Sequence, residues 1–354
     1  MATKCCLSCI AALALVTIAG CPSLFEDPPA LILVGAANDK AYLEHYAEWS
    51  GFVTNPSTLW ELDADSGAAA SLQDATTQYD VQVDGDYYVA ERPTADNKGS
   101  EVVAVEIASG DMITVLERDV VLGGRYDREF VLTDGRVVAR TDDGLIVYDL
   151  DARAVLRTIP VDDPIAEIET ADGDWALVTL NEVFSDDELL VNLATGATVA
   201  VPALPDNANG YYYGAVIAGN DLILSSFVPT AQSVTDNAVQ ILHIPTLTWQ
   251  TLAEYDGSGD DAFTPEAVYT VGADETHVVA MPFKSFAGCW LEVIDRESGE
   301  RTRIAQTLGF FATPYCVSFD NGVVYWTDDS ETELVRYDVA TGTQHTVSLE
   351  DVAP

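Results

Sequence analysis

One short phrase returns along the chain at a nearly constant interval, and it constrains the fold more than any other feature. Near the C-terminus it occupies 336–342 and reads RYDVATG; related phrases end at Gly196 and Gly299. The other copies are anchored at Gly67, Gly110, Arg153 and Leu247, and the last two lack the glycine. Successive anchors from Gly67 to Gly342 are 43, 43, 43, 51, 52 and 43 residues apart. A period in the forties built from strand-like units is typical of a β-propeller, and seven copies predict seven blades.

Tight turns divide each copy into shorter apolar runs. The turn dipeptides are Asp84-Gly85, Asp134-Gly135, Asp172-Gly173, Gly219-Asn220 and Asn321-Gly322. Such dipeptides supply the positive φ angles that two-residue hairpins require. In the last copy, alternating runs predict strands at 315–319, 323–327, 333–338 and 343–349, and the irregular first copy predicts strands at 31–34 and 41–48.

The expected fold is therefore all-β, a seven-bladed propeller of four-stranded antiparallel blades covering 31–354. The four strands of a blade are named A to D from the axis outward. Six or eight blades would also fit, because the first copy is the least regular. The repeat runs nearly from end to end, so the sequence predicts one folded domain rather than two.

The N-terminus has the pattern of an export signal. Lys4 is followed by an apolar run from Cys5 to Ile18, which is too short to span a bilayer and is typical of a secretory signal. The following tetrad, Ile18-Ala19-Gly20-Cys21, resembles the bacterial lipobox, in which cleavage precedes a cysteine that carries lipid. This resemblance implies a signal peptide at 1–20, lipidation of Cys21 and a tether at 21–30. An ordinary signal peptide with a coincidental cysteine is the alternative.

The lipobox implies an extracytoplasmic lipoprotein of the bacterial envelope, in the outer membrane if the cell is Gram-negative. It also decides which cysteines remain available. Cys5, Cys6 and Cys9 leave with the signal and Cys21 carries the lipid, so Cys289 and Cys316 are left. An oxidising compartment favours one disulfide between them. Two buried thiols are the alternative.

The charge excludes some classes of partner. The chain has 58 acidic and 16 basic residues, a net charge of −42, and removal of Lys4 with the signal gives −43. Such a surface repels nucleic acid and anionic lipid headgroups, so we expect membrane contact through the lipid anchor only. The acidity resembles that of proteins from salt-adapted organisms, and an ordinary acidic secreted protein fits equally.

Several repeats resemble known propeller families. The segment 324–328 (VYWTD), followed by 334–338 (LVRYD), resembles a YWTD-type repeat. The Asp-x-x-Thr-Gly phrase is similar to the repeats of quinoprotein-like and YVTN-type bacterial propellers, and 246–249 (TLTW) to a kelch strand. These resemblances imply a propeller architecture and no particular subfamily, cofactor or substrate.

The connections between predicted strands are unequal in length. The A–B and C–D turns are nearly all tight. The long B–C connections are 92–100, 181–188, 228–238 and 282–288, and the long D–A connections are 118–127, 203–212, 253–265 and 305–314. Because strands alternate in direction, both long groups leave the same face, and insertions collected on one face mark a binding face.

These long connections are rich in aromatic residues and in the scarce cations, the residue types that protein interfaces use as anchors. The candidate binding-face residues are Arg92, Arg125, Tyr211, Tyr212, Tyr213, Phe263, Lys284, Phe286, Phe310 and Phe311. The alternative for any one aromatic residue is that it folds back onto the blade ends as part of the core.

Catalytic and metal-binding motifs are absent from the sequence. The four histidines, His45, His243, His277 and His345, lie in different repeats, and no nucleophile elbow, zinc-protease motif or phosphate loop occurs. In the acidic loop 256–261 (DGSGDD), Asp256, Asp260 and Asp261 are weak candidates for calcium ligands. A solvated acidic loop is the favoured interpretation, so we expect no catalytic residue and no cofactor.

The sequence thus favours a non-enzymatic, monomeric envelope propeller that binds a protein or polymer through its long-loop face. The first alternative is an envelope enzyme, a lyase or glycan hydrolase, with its site in the axial channel. The second is a propeller that holds a small ligand or metal in that channel.

Overall fold

The computed structural model describes residues 31–46, 57–73, 79–94, 98–118, 129–180, 188–205, 214–229, 235–255, 265–284, 288–305, 317–328, 332–350 and 352. Over these ranges the chain forms 29 strands and no helix. Accordingly, no helix suited to crossing a membrane is found in this part of the chain. The strands group into seven antiparallel sheets, one per blade.

The strands follow one another blade by blade. Blades I to III contain β1 (Leu31–Ala37), β2 (Lys40–Tyr46), β3 (Ser57–Asp63), β4 (Ala69–Gln73), β5 (Tyr79–Asp84), β6 (Tyr87–Pro93), β7 (Ser100–Glu106), β8 (Met112–Arg118), β9 (Phe130–Thr133), β10 (Arg136–Thr141), β11 (Gly144–Asp149) and β12 (Ala154–Pro160).

Blades IV to VII contain β13 (Ile165–Asp172), β14 (Trp175–Leu180), β15 (Glu188–Asn192), β16 (Thr198–Ala200), β17 (Ala215–Ala218), β18 (Asp221–Pro229), β19 (Thr235–His243), β20 (Thr248–Tyr255), β21 (Ala267–Ala273), β22 (His277–Lys284), β23 (Gly288–Cys289), β24 (Leu291–Asp295), β25 (Arg301–Ala305), β26 (Val317–Asp320), β27 (Val323–Thr327), β28 (Glu333–Asp338) and β29 (Thr343–Ser348). The two-residue β23 pairs with β22 beside the main path of blade VI.

The blades form a closed ring. The innermost strands β1, β5, β9, β13, β17, β21 and β26 each contact the next, and β26 contacts β1. The predicted all-β, seven-bladed fold with four antiparallel strands per blade is confirmed.

Burial explains why the inner strands carry nearly continuous apolar runs. A blade is covered on both faces by its neighbours, so side chains of both orientations are buried. In β11 five of six residues are buried, whereas in the outermost strand of the same blade, β12, six of seven are exposed. The core therefore consists of apolar layers between successive blades.

The ring closes through side-chain contacts and not through a shared sheet, since each blade is built from strands that are consecutive in the chain. At the interface between blades VII and I, Leu43 and Leu62 pack in one cluster with Tyr325 and Leu334. Polar contacts join the same two blades: His345 Nδ1 lies 2.9 Å from the carbonyl oxygen of Ala64. The guanidinium of Arg336 lies 3.8 Å from a carboxylate oxygen of Asp39 and 3.8 Å from one of Asp65.

The repeated phrase forms the C–D turn. Its acidic residue accepts a hydrogen bond from the backbone N–H three residues on, as for Asp338 Oδ1 and Thr341 N at 2.8 Å. All seven anchors have positive φ; they are Gly67, Gly110, Arg153, Gly196, Leu247, Gly299 and Gly342. The repeat therefore reflects the backbone demand of this turn, which glycine meets with least strain.

The predicted B–C connection of blade V differs from the structure. In blade V, β18 ends at Pro229 and β19 begins at Thr235, so the B–C connection is 230–234 rather than the predicted 228–238. The two strands pair over this whole length. Each added residue pair satisfies backbone N–H and C=O groups within the sheet, which favours the longer strands. The other strand boundaries of the last copy agree within two residues, with β26 starting at Val317.

Candidate functional site

The lengths of the connections separate two faces of the ring. The A–B connections contain two or three residues, whereas the D–A connections include 119–129, 201–214, 256–266 and 306–316. Because consecutive strands are antiparallel, the B–C and D–A connections leave one face, here named the long-loop face. The A–B and C–D connections leave the opposite face, named the tight-turn face.

Two of the candidate binding-face residues lie within the described chain. Arg92, near the end of β6, has its Nε 2.9 Å from Glu101 Oε1, and its side chain is partly buried. Lys284 is the last residue of β22, opposite Gly288 of β23, and is half-buried. Both therefore lie at or near the ends of B strands, where the chain enters the long-loop face; their role in binding stays a prediction.

The other candidates fall outside the described residues. These are Cys21, Arg125, Tyr211, Tyr212, Tyr213, Asp256, Asp260, Asp261, Phe263, Phe286, Phe310, Phe311 and Cys316. Cys289 is described and is fully buried. Its disulfide with Cys316 and the roles of the other residues stay predictions.

A buried ionic cluster, which the sequence interpretation missed, lies at the long-loop ends of blades II and III. We name it the Glu129 cluster; it contains Glu91, Arg118, Glu129 and Arg140. Arg118 Nη1 is 2.9 Å from Glu129 Oε2 and 3.6 Å from Glu91 Oε1, and Arg140 Nε is 2.7 Å from Glu129 Oε2. Arg140 Nη2 also pairs with Glu129 Oε1. Ser100 Oγ donates to Glu91 Oε1 at 2.5 Å.

The cluster extends to a third blade through Arg140. Its Nη1 donates to the carbonyl oxygens of Ile165, at 2.8 Å, and Ala166, both on the innermost strand of blade IV. Glu129 immediately precedes the innermost strand of blade III, so the cluster joins three blades beside the axis. Its groups are paired with one another, which suits a fixed platform. The only sequence signal was that scarce arginines stand at strand ends beside a long connection.

Unpartnered polar atoms lie between blades VII and I at the long-loop end. His45 Nε2, Trp60 Nε1 and Thr327 Oγ1 are buried and make no hydrogen bond within the described chain. Burial lowers the pKa of His45 below its ordinary value, which favours the neutral ring. His45 is opposite Leu31, and Thr327 opposite Leu334, both members of the apolar layer at this interface.

The tight-turn face is acidic near the axis. Burial raises the pKa of Asp84, and the charges of Asp134 and Asp172 raise it further. Hydrogen bonds from the backbone of Asp134 and Gly135 lower it, but the net shift is upward. Asp172 Oδ2 accepts a hydrogen bond from Gly219 N at 2.8 Å. These aspartates therefore connect successive blades. Over the described ranges, no three histidine, cysteine or acidic side chains are grouped as a metal site requires.

Sequence comparisons identify no relative: no family model matches the chain, and no curated protein matches it. The resemblance to YWTD-type and related repeats therefore stays a resemblance. Solved structures, in contrast, match over nearly the whole chain.

One similar structure is the propeller domain of the Trilobed protease from Pyrococcus furiosus, with a TM-score of 0.58 and 13% identity, covering 92% of this chain and 97% of that one. That domain is described as having an open velcro topology. A puromycin-hydrolyzing peptidase from Mycobacterium tuberculosis has a TM-score of 0.56 and 12% identity over 92% of this chain and 55% of its own.

An oligogalacturonate lyase from Vibrio parahaemolyticus has a TM-score of 0.52 and 10% identity, covering 90% of this chain and 89% of that one. Several of the similar structures are thus enzymes of different reaction classes. At these identities the likeness shows the fold alone, because one propeller fold carries unrelated functions.

Proposed function

We propose that this protein is a non-enzymatic binding propeller of the bacterial envelope, held to the membrane by lipid on Cys21. Its long-loop face takes up a protein or polymer partner. The observation that carries the proposal is that the long connections leave a single face of a closed ring. The Glu129 cluster supports it by fixing the blade ends beneath that face.

The chemistry of the long-loop face suits binding. The carboxylates of the Glu129 cluster, which lie at blade ends on this face, are paired with arginines and so are engaged in structural contacts. The connections themselves carry Tyr212, Phe286 and Phe311, aromatic residues of the kind that anchor interfaces. A rigid ring that presents such residues on loops is a common arrangement for recognition.

The binding proposal is tested by photo-crosslinking in native membranes. Wild-type protein is compared with a Tyr212→Ala, Phe286→Ala, Phe311→Ala variant and with Asp134→Ala on the tight-turn face. The triple variant should lose the crosslinked partner, at about 1–4 kcal/mol per anchor, while the control retains it. Equal crosslinking by all three proteins, or equal loss from both variants, would contradict the proposal.

The lipid anchor has its own test. Cys21→Ala should release the protein from the membrane fraction or leave an uncleaved precursor, because stable anchoring requires the acyl chains. Detergent-phase partitioning of the processed variant at the wild-type level would rule out the lipobox interpretation.

The competing proposal is an envelope enzyme, or a small-ligand binder, with a site in the axial channel. It is supported by the similar folds that are enzymes and by acidic residues on the innermost strands, such as Glu169 beside Thr179 Oγ1 at 2.8 Å. Turnover of acidic oligosaccharides by the purified protein, abolished by Glu169→Gln, would favour it over the binding proposal.

A further inference from the structure

The second strand of each blade carries one residue at an equivalent position near the long-loop end. It is the fifth residue of strand B, counted from the tight A–B turn. These residues are Glu44, Glu91, Arg140, Thr179, Ser225, Met281 and Thr327, in β2, β6, β10, β14, β18, β22 and β27. All except the methionine are polar, so the ring contains a layer of mainly polar residues close to the long-loop face. We name it the polar layer.

In several blades the polar layer joins one blade to the next. Arg140 Nη1 donates to the carbonyl oxygen of Ile165 in blade IV at 2.8 Å. Ser225 Oγ of blade V lies 2.6 Å from Thr270 Oγ1 of blade VI. Glu91 of blade II is paired within the Glu129 cluster. These contacts fasten neighbouring blades to each other at the long-loop end.

In blade VII the equivalent threonine has no such partner within the described chain. Thr327 is 2% exposed, and its Oγ1 makes no hydrogen bond there. Alternation along β27 places it on the side of Tyr325, which packs against blade I. His45 Nε2 and Trp60 Nε1 of blade I are also buried without a described partner, and both side chains lie on the same side of their sheet as Leu43. Polar groups of both blades therefore face this interface, and they would regain hydrogen bonds if water reached them.

The opposite end of the same interface is fastened. His345 Nδ1 lies 2.9 Å from the carbonyl oxygen of Ala64, and the guanidinium of Arg336 lies 3.8 Å from Asp39 and from Asp65. Ala64 and Asp65 follow β3 and Asp39 precedes β2, so these contacts reach turns of the tight-turn face. Among the described residues, polar contacts therefore hold the two blades together at the tight-turn end.

The path of the chain adds to this difference between the ends. A D–A connection crosses to the next blade on the long-loop face at six of the seven interfaces, but none joins blade VII to blade I, the last and the first that the structure describes. Two apolar residues after β29 cover this end instead. Leu349 and Val352 are buried in the same apolar layer as Leu43, and Leu349 N donates to the carbonyl oxygen of Thr332 at 2.7 Å, just before β28. We name Leu349 and Val352 the latch.

We propose that the ring opens reversibly between blades VII and I from the long-loop end, with the tight-turn end as the hinge and the latch as the closing element. Opening hydrates His45, Trp60 and Thr327, which offsets part of the cost of exposing the apolar layer. It breaks no backbone ladder, since each sheet is complete within one blade. The open form presents an apolar cleft with hydrogen-bonding groups on the long-loop face.

Opening is measured with cysteine reporters and N-ethylmaleimide on the purified mature protein under native conditions. Thr327→Cys reports the long-loop end of this interface, and Ser225→Cys reports the equivalent, fully buried position between blades V and VI. Peptide mapping by mass spectrometry separates the reporters from the native cysteines. We expect Thr327→Cys to be labelled at least tenfold faster. The control is biased toward labelling, because it loses the hydrogen bond to Thr270.

A third reporter, Val323→Cys, tests the direction of opening. Val323 is the first residue of β27 and lies in the same apolar layer at the tight-turn end. It is 7% exposed, against 2% for Thr327, so exposure in the closed form favours the reverse order of rates. We expect Val323→Cys to be labelled at least fivefold more slowly than Thr327→Cys.

The latch is tested by adding Val352→Ala to the Thr327→Cys protein. Removing buried methyl groups weakens the closed form, so labelling should become at least threefold faster. Val155→Ala, at an exposed position of β12, is the matched control and should leave the rate unchanged.

The unpartnered hydroxyl is tested without any cysteine reporter. Thr327→Val keeps the shape of the side chain and removes a buried hydroxyl that has no described partner, so the melting temperature should rise. Thr270→Val removes a hydroxyl that is bonded to Ser225 and should lower the melting temperature. Thermal unfolding followed by circular dichroism measures both.

Four results would overturn the proposal. Equal labelling of Thr327→Cys and Ser225→Cys would mean that exposure requires global unfolding, and equal labelling of Thr327→Cys and Val323→Cys would mean that neither end opens first. An unchanged rate with Val352→Ala would remove the latch. A lower melting temperature of Thr327→Val would mean that its hydroxyl is bonded in the folded protein. No partner is present in these measurements, so this proposal and the long-loop-face proposal can fail separately.

Discussion

Single residues in the C–D turns show how the repeat tolerates departures from its pattern. At five anchors the positive φ is taken by glycine, whereas Arg153 has φ 51° and Leu247 has φ 53°. The fold therefore imposes the left-handed conformation on residues that disfavour it. Such strain persists where the surrounding hydrogen bonds over-determine the backbone.

Leu247→Gly should stabilise the protein. A non-glycine residue in the left-handed region costs about 1–2 kcal/mol, and the extra chain entropy of glycine offsets about 0.5–1 kcal/mol of that gain. We expect a net gain of about 0.5–1 kcal/mol in the free energy of unfolding, measured with denaturant. The reverse change in blade VII, Gly342→Leu, should lower it. A loss of stability in Leu247→Gly would mean that the leucine side chain contributes more than its strain costs.

Asp84→Asn should stabilise the protein at neutral pH. The folded-state pKa of Asp84 is raised, first by burial and then by the charges of Asp134 and Asp172, so the folded state disfavours the ionised carboxylate. A raised folded-state pKa means that stability is lost as pH rises through it. The variant, which cannot ionise and keeps an acceptor oxygen, should therefore melt higher at pH 7, with the difference vanishing near pH 4.

Asp338→Asn is the matched control for that experiment. Hydrogen bonds from Thr341 lower the pKa of Asp338 in its exposed turn, so its contribution is present above the unfolded-state pKa and is lost as pH falls below it. The control should give no gain at pH 7. If Asp84→Asn also gives none, the aspartates on the tight-turn face do not repel one another enough to affect folding.

At the scale of whole strands, the Glu129 cluster joins elements that the hydrogen-bonded ladders leave separate. Each sheet is complete within its own blade, so contacts between blades come from side chains. Arg140 of β10 reaches both Glu129 and the innermost strand of blade IV. Its loss would leave a carboxylate whose side chain is only 10% exposed without one of its two arginines.

Arg140→Met should therefore destabilise the protein strongly. Removing one partner of a buried ion pair costs about 3–5 kcal/mol, because the remaining charge is desolvated without compensation. Denaturant unfolding measures the change, and Arg157→Met on the exposed strand β12 is the control, expected within about 0.5 kcal/mol of wild type. A similarly small effect at Arg140 would show that water solvates the cluster.

At the scale of the whole molecule, charge and ring closure determine stability together. A net charge of −42 on a closed ring causes self-repulsion, and the first and last blades are joined by packing rather than by a shared strand. Every interface between blades, including that of blades VII and I, is therefore a place where this repulsion can act without breaking a sheet.

Sodium chloride should raise the melting temperature. Salt at about 1 M shortens the screening length to about 3 Å, so repulsion between exposed carboxylates falls while apolar packing is kept. Thermal unfolding in dilute buffer and in molar sodium chloride measures the effect. A flat response would remove the inference of salt adaptation and leave ordinary acidity.

The sequence by itself determined the architecture, because the determinants of a blade are local. The turn dipeptides and the phrase that recurs at intervals of 43 to 52 residues specify positive φ at fixed positions. The alternating apolar runs specify the strands between these turns. The strand at 333–338 agrees with β28, and the seven anchors correspond to seven blades. Such determinants involve only residues that are close together in the sequence, so they can be recognised without the tertiary structure.

Only the tertiary structure decided which distant residues meet. Arg118 and Arg140 come from strands of two different blades, and Glu129 comes from the residue before β9. Tyr255 meets Arg301 across the interface of blades V and VI. Neither pairing can be predicted from the distance between the residues along the chain. Which charged or aromatic side chains meet at an interface depends on the twist and packing of whole blades. The sequence thus determined the ring and its two unequal faces, and three-dimensional packing determined where charge is buried, paired or left exposed.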